Sequence, residues 1–103
     1  MARVIIRPKV RRELQQIVAY LIENAGLEVA RRCRQAATDT FQELAAMPAM
    51  GSPRKVRRPE FADIRMWRGK HFEDYLIFYF PRKGGIAIER VIHAKQDYQR
   101  VLG

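Results

Sequence analysis

The sequence predicts an α+β fold, with an N-terminal strand and a helical hairpin packed on a small antiparallel sheet in the order β-α-α-β-β-β, followed by a short helix. Residues 63–97 predict three consecutive strands, because Phe, Tyr, Ile and Val dominate and each run stops at turn residues. Two earlier stretches repeat apolar residues at helical spacing. A chain of 103 residues suits one core, so residues 1–103 are expected to form one domain.

The N-terminal half predicts a strand followed by two helices. Arg3 to Arg7 is typical of an edge strand flanked by cations, and Pro8 suits a first helical turn, where no N–H is needed. The apolar stripes of the two helices are Val10, Leu14, Ile17, Val18 and Leu21, then Val29, Cys33, Ala37, Phe41, Leu44 and Ala45. We expect the first helix to end near Gly26 in a left-handed cap, and the second at Pro48 to Gly51.

The sheet predicted from the second half has Tyr75 to Phe80 as its central strand. This run has almost no polar break, which favours burial on both faces. Pro81 is expected to end the strand, and the glycines after it to close a hairpin into Ile86 to Ile92. Residues 94–103 are expected to form a short helix, either packed on the sheet or free for a partner.

The charge of the chain favours an anionic partner. Twenty Lys+Arg against eleven Asp+Glu leave a net charge of +9, which is typical of proteins that bind nucleic acid or acidic surfaces, although an inert basic surface is the alternative. Residues 51–60, here named the basic loop, carry four cations between two prolines: Arg54, Lys55, Arg57 and Arg58. This run is either a solvated face or a contact for a polyanion or acidic partner.

The cysteine count and the N-terminus bear on the environment of the protein. The single Cys33 excludes an internal disulfide, favours a reducing cytoplasmic location, and on its helical stripe is expected to be buried as a small hydrophobe. The N-terminal apolar run is only Val4 to Ile6, so neither a signal peptide nor a membrane-spanning segment is expected. No metal or cofactor site is predicted.

Five motifs in this order resemble the ParE branch of the RelE/ParE superfamily, the toxins of bacterial type II toxin–antitoxin pairs. They are Leu14-x-x-Ile17-x-x-Tyr20, Leu44-x-x-Met47-Pro48-x-x-Gly51, Ile64-Arg65, Tyr75-Leu76-Ile77-Phe78-Tyr79 and Arg90-Val91-Ile92-His93-Ala94-Lys95-Gln96-Asp97. The resemblance covers essentially the whole chain. One departure is Arg7, which stands where many relatives carry a Ser cap and whose side chain cannot accept a backbone N–H.

The resemblance implies two competing activities. RelE-like members are ribosome-dependent endoribonucleases, which need a base, an acid and cations for the phosphorane, and the candidates for these roles are His93, Arg65, Arg90, Lys95 and Tyr98. However, Leu76 and Lys95 stand where such nucleases carry arginines, and Val101 where they carry a C-terminal tyrosine, although Tyr98 is close by.

ParE-like members instead bind DNA gyrase and stall it with cleaved DNA, which requires no catalytic residues. The resemblance therefore implies a toxin that inhibits gyrase by binding, with roles in growth arrest and plasmid stabilisation. An mRNA endoribonuclease of RelE type is the alternative. A third possibility is a non-toxic basic adaptor that has kept the fold.

The resemblance also implies a partner and two contact surfaces. The partner is a ParD-like antitoxin, an acidic ribbon-helix-helix protein that forms a hetero-oligomer with the toxin, and its expected anchors are Tyr20, Leu21, Leu27, Met47 and Met50. The expected gyrase contacts, with or without DNA, are Arg90, His93, Lys95, Tyr98 and Arg100. One helical turn is expected to bring Lys95 and Tyr98 to the same side of this patch. Deleting residues 97–103 is expected to abolish gyrase inhibition and to leave a folded domain that still binds antitoxin.

Overall fold

The computed structural model describes residues 2–69 and 72–102. It confirms the predicted order of elements and adds a two-residue strand, Ser52–Pro53, before the meander. Lys70 and His71, which lie between the second and third predicted strands, are outside the described residues. None of the helices within the described ranges combines the length and the apolarity needed to cross a membrane. The elements are β1 Arg3–Ile6, α1 Pro8–Ala25, α2 Leu27–Ala46, β2 Ser52–Pro53, β3 Arg65–Gly69, β4 Phe72–Arg82, β5 Gly85–His93 and α3 Tyr98–Leu102.

The strands form one sheet in the order β1-β5-β4-β3-β2. β3, β4 and β5 make the predicted antiparallel meander, and β1 lies at an edge, as its flanking cations predicted. β1 runs parallel to β5, with Arg3 opposite Gly85 and Ile6 opposite Ile88, so the sheet is mixed and not purely antiparallel. Local periodicity indicates a strand but not its partner, which here lies about 80 residues away in sequence.

The ends of the helices follow the predicted turn chemistry with one difference. α1 begins at Pro8 without a side-chain cap, and the carbonyl of Arg7 accepts the N–H groups of Val10 and Arg11. Gly26 separates α1 from α2 with φ 95° and ψ 162°. The positive φ is the one predicted, but this ψ lies outside the left-handed helical region, in a conformation that essentially only glycine adopts.

The prediction that Pro81 ends its strand is wrong, because β4 continues to Arg82 and the loop is only Lys83-Gly84. Arg82 and Gly85 pair next to this two-residue loop. In an antiparallel hairpin the pair that closes such a loop is hydrogen-bonded and the next pair is not, so Pro81 directs its nitrogen away from β5. β3 pairs with β4 only as far as Arg65 opposite Tyr79. No neighbouring strand in the described structure therefore needs an N–H from Pro81.

The sheet is covered on both faces, as the apolar central strand predicted. Side chains of β4 alternate between two buried clusters, and the face covered by α1 and α2 is here named the helix face. Buried residues on the helix face are Val10, Ala37, Phe41, Leu44, Ala45, Ile77, Tyr79, Ile86, Ile88 and Val91. Those on the opposite face are Phe61, Ile64, Leu76, Phe78, Phe80, Ile92 and Leu102.

The C-terminal helix is part of the cover on the opposite face. Leu102 is only 2% exposed, and the ring of Tyr98 lies 5.2 Å from that of Phe78. Without α3 the part of this face around Phe78 would be exposed to water. The packing contradicts the expectation that residues 97–103 are dispensable for folding.

Cys33 is half-buried against the helix-face cluster, and burial raises the pKa of its thiol.

Candidate functional site

The structure divides the expected gyrase contacts between the two faces of the sheet. His93 lies opposite Tyr75 on neighbouring strands, and their rings meet edge to face at 5.2 Å, where Tyr75 packs against the helix-face cluster. Tyr98 packs against Phe78 on the opposite face. The two aromatic side chains expected in one patch therefore point away from each other.

The environment of His93 decides its tautomer. Its Nδ1 accepts the backbone N–H of Lys95 at 3.1 Å. The neutral ring therefore carries its proton on Nε2, and the lone pair of Nδ1 is used in this hydrogen bond. β5 ends at His93 and α3 begins only at Tyr98. The prediction that Lys95 and Tyr98 share one helical turn is thus wrong, because Lys95 lies in the exposed turn between the two elements.

Arg90 is engaged by a carboxylate from α1. Its Nε lies 2.7 Å from Glu13 Oε2, and the other oxygen of that carboxylate accepts the N–H of Val91 at 3.3 Å. β1 pairs with β5 only as far as Ile88, so the outer edge of β5 is open beyond that residue. Glu13 therefore caps an exposed strand edge, and Arg90 balances its charge.

The neighbouring Glu89 is the extra residue of a β-bulge. Phe78 faces Arg90 whereas Tyr79 faces Ile88, so Glu89 has no partner on β4. Its carboxylate is buried, and it lies 3.2 Å from Arg7 Nε and 2.5 Å from Lys9 Nζ. This ion pair attaches the start of α1 to the sheet.

Arg65 and Tyr79 hold the segment that follows α2. Nη1 of Arg65 donates to the carbonyls of Ala49, at 3.1 Å, and Gly51, at 2.5 Å. The Tyr79 hydroxyl donates to the carbonyl of Pro48 at 2.7 Å and accepts the N–H of Gly51 at 2.8 Å. A Cβ at Gly51 would collide with that hydroxyl, so only glycine fits there. Tyr79 was missed at the sequence level, although a tyrosine inside a fully buried run signals a hydroxyl that needs partners.

The five nuclease candidates do not converge on one point. Within the described structure the guanidinium groups of Arg65 and Arg90 have internal partners, and His93 and Tyr98 lie on opposite faces. A metal-independent nuclease needs its base, acid and cations around the same phosphate. The described residues also contain no group of His, Cys, Asp and Glu side chains able to hold a metal ion.

The basic loop and the C-terminal helix meet at the surface. Gln99 Nε2 donates to the Lys55 carbonyl at 2.7 Å, which ties the loop to α3. Arg57 and Arg100 line one open depression of about 590 Å³ together with Asp97 and Gln99. From the sequence this loop and the tail are separate candidates, because Lys55 and Gln99 are 44 positions apart.

The other three loop positions differ from one another. Arg58 pairs with Glu60 at 2.6 Å and lies 5.0 Å above the ring of Phe61. Arg54 is partly buried, and its Nε makes no hydrogen bond to the described residues. Lys55 is exposed. Regular structure lies on both sides of Arg57, with β2 at Ser52–Pro53 before it and a turn of 3₁₀ helix at Pro59–Phe61 after it.

A groove of about 530 Å³ opens between α1 and α2 above the edge strand β1. Exposed Arg11 and Arg34 contribute to its wall from the two helices. The sequence did not predict an accessible apolar groove here, because an apolar stripe on a helix also predicts core packing. The apolar lining residues are Val4, Ile6, Leu14, Ile17, Val18, Cys33, Ala37 and Phe41.

The expected antitoxin anchors lie outside this groove. Tyr20, Leu27 and Met47 are 60%, 53% and 63% exposed, respectively. Leu21 is half-buried, and Met50 packs against the helix-face cluster. Three of the five residues are therefore available to a partner without any rearrangement.

Comparisons with known proteins agree with this fold. A profile of the family described as "ParE toxin of type II toxin-antitoxin system, parDE" matches residues 4–98. A solved structure, "Chromosomal ParDE TA system from P. aeruginosa", superposes with a TM-score of 0.73 over 92% of this chain and 98% of that chain. At 17% identity that likeness shows the shared fold alone. The comparison with curated proteins finds no match. Because the family profile spans nearly the whole chain, this protein belongs to the ParE toxin family.

Proposed function

We propose that this protein is a cytoplasmic toxin that binds DNA gyrase, stalls it with its DNA cleaved, and so blocks replication and arrests growth. Membership of the ParE family is the observation that carries the proposal. The activity is inhibition by binding, so it requires an accessible surface and no catalytic group. The lack of convergent catalytic side chains in the described structure supports this mechanism over RNA cleavage.

The gyrase contact is proposed to include the exposed end of β5 and the turn that follows it. Lys95 is the exposed cation of that turn, and Arg90 and His93 lie nearby on β5. Tyr98 and Arg100 extend the contact around the C-terminal edge. An acidic surface of gyrase would meet these cations, whose exposed charges steer the encounter more than they hold the complex.

The direct test is a gyrase cleavage assay with the purified protein and supercoiled plasmid. We expect linear plasmid to accumulate after detergent and protease treatment, because the stalled complex retains broken DNA. Lys95→Glu should raise the toxin concentration needed for half-maximal cleavage by about tenfold or more, because it places like charges opposite each other at the contact. Lys83→Glu is the matched control, since Lys83 is also an exposed turn lysine but lies at the other end of β4 and β5.

The RNA-cleaving alternative is tested on the same protein preparation. The toxin is incubated with translating ribosomes, and the ends of the mRNA are mapped. Cuts in the ribosomal A site without any gyrase-dependent DNA cleavage would replace the gyrase proposal by the nuclease. Growth arrest in cells without either product would reject both.

We also propose that a ParD-like antitoxin neutralises the toxin by laying an acidic amphipathic helix in the groove between α1 and α2. The groove combines an apolar floor with the cations Arg11 and Arg34, which suits a helix that is apolar on one side and acidic on the other. The exposed Tyr20, Leu27 and Met47 supply further apolar contacts beyond the groove for the rest of the antitoxin tail.

Neighbouring positions on α1 separate groove docking from a general charge effect. Val18 lines the groove, whereas Ala19 is exposed outside it. Val18→Glu should weaken antitoxin binding by about tenfold or more in calorimetry, because it places a carboxylate against the apolar side of an acidic helix. Ala19→Glu adds the same charge and should have little effect. Equal affinities of the two variants would exclude the groove as the docking site.

A further inference from the structure

We propose that the basic loop and α3 together form a binding site for the phosphodiester backbone of nucleic acid. The site is the open depression lined by Arg57, Arg100, Gln99 and Asp97. It lies where α3 covers the opposite face of the sheet, away from the helix groove. The proposal concerns binding to nucleic acid itself, and it does not depend on gyrase being the target.

The two cations of the site are held by packing on both sides. Val56, next to Arg57, packs against the cluster on the opposite face, and Leu102, two residues after Arg100, is buried in the same cluster. The hydrogen bond from Gln99 Nε2 to the Lys55 carbonyl joins the two segments directly. The backbone at Arg57 and Arg100 is thereby held on one surface, so little backbone conformational entropy is lost when a ligand binds.

The charges of the site are available for a ligand. Arg57, Arg100 and Lys55 are exposed, and none of them forms an ion pair with the described residues, whereas Arg58 is already paired with Glu60. Asp97 is the one acidic residue among the four that line the depression, and its Oδ1 accepts the N–H of Gln99 at 3.1 Å. The uncompensated cations outnumber this carboxylate, which leaves a positive field above the depression.

The lining favours phosphate over an acidic protein. All four lining residues are polar or charged, so the depression offers no apolar or aromatic anchor of the kind that carries the energy of a protein interface. Arginine and glutamine side chains are common partners of phosphate oxygens, and such contacts bind the backbone without reading sequence. Binding is therefore expected to be independent of sequence and strongly dependent on salt.

The separation of the two surfaces has a consequence for the toxin–antitoxin complex. A partner in the groove between α1 and α2 leaves the depression at α3 uncovered. The toxin is then able to contact DNA and its antitoxin at the same time. Saturating antitoxin should leave the contribution of Arg57 and Arg100 to DNA affinity unchanged.

The test measures the fluorescence anisotropy of a labelled DNA duplex of about 20 base pairs while toxin is added without antitoxin. The titration is repeated at several salt concentrations. Arg57→Gln/Arg100→Gln should lower the affinity about tenfold or more near 0.1 M salt. It should also reduce the slope of log K against log salt by about 1.8, since each phosphate contact contributes about 0.9. Arg31→Gln/Arg32→Gln is the matched control, because it removes two exposed charges from α2. That control should retain the wild-type slope to within about 0.5.

A variant that binds DNA more tightly than the wild type is a useful second test, because misfolding would not raise the affinity. Asp97→Asn keeps a side-chain oxygen able to accept the Gln99 N–H but removes the negative charge, so DNA affinity should rise several-fold. Equal losses in the two double variants would overturn the proposal, because they would show only the general attraction of a basic protein. An unchanged affinity in Asp97→Asn would also overturn it. If Arg57 and Arg100 proved to be needed for binding the antitoxin but not DNA, the site would belong to an acidic protein.

Discussion

Replacing Tyr79 by Phe removes one hydroxyl from the centre of the protein and leaves the ring in place. That hydroxyl joins β4 to the segment after α2 through the carbonyl of Pro48 and the N–H of Gly51. Tyr79 itself is fully buried and Gly51 is buried, so water cannot easily take over the lost contacts. The expected result is a marked loss of stability from the removal of a single atom.

The magnitude follows from the two backbone groups left without a partner. A buried donor or acceptor that loses its hydrogen bond costs about 1–3 kcal/mol. Pro48 is only half-buried, so its carbonyl regains part of that energy from water. We therefore expect Tyr79→Phe to lower the free energy of unfolding by about 2–4 kcal/mol, out of the roughly 5–15 kcal/mol typical of a domain. The midpoint of thermal unfolding should fall by about 10 °C or more.

Urea unfolding followed by fluorescence of the partly buried Trp67 measures this change. Tyr20→Phe is the control, because Tyr20 is 60% exposed and its hydroxyl makes no hydrogen bond within the described structure. That control should stay within about 0.5 kcal/mol of the wild type. A Tyr79→Phe protein as stable as the control would refute the conclusion that this hydroxyl holds the segment after α2.

Three further predictions follow from buried groups. Leu102→Ala should lower the free energy of unfolding by about 2–4 kcal/mol, because Leu102 is buried. Deletion of residues 97–103 should abolish cooperative urea unfolding. A truncated protein that still unfolds cooperatively would contradict the role of α3 in the core. Glu89→Gln should lower the free energy of unfolding by about 1–2 kcal/mol in thermal unfolding, because the buried carboxylate loses two cationic partners that are themselves about half exposed. A smaller loss at high salt would identify the ion pair as the cause. Burial raises the pKa of Tyr79 above its ordinary value of 10.0, only partly offset by the Gly51 N–H and by Arg65. The unfolded chain therefore loses that proton first, and the stability should fall as the pH rises above 10.0, more steeply in the wild type than in Tyr79→Phe.

The candidate contact residues show that a local sequence pattern does not predict which side chains lie together in the folded protein. Placing Arg90, His93, Lys95, Tyr98 and Arg100 in one patch rested on their closeness in sequence. The turn after His93 and the late start of α3 carry the chain around the sheet edge, so neighbours in sequence arrive on different faces. Conversely, Gln99 and Lys55 are 44 positions apart and share a hydrogen bond, which no periodicity indicates.

The sequence by itself determined the kinds of element, their order and the burial of the central strand, because apolar spacing and turn residues act over a few positions. It also determined the positive φ at Gly26 and the start of α1 at Pro8. Only the tertiary structure decided that β1 runs parallel to β5, that Glu13 caps the open edge of β5, and that the basic loop meets α3. These features depend on which distant segments come together to cover the apolar faces of the sheet. That choice minimises exposed apolar area over the whole chain, and no short stretch of sequence encodes it.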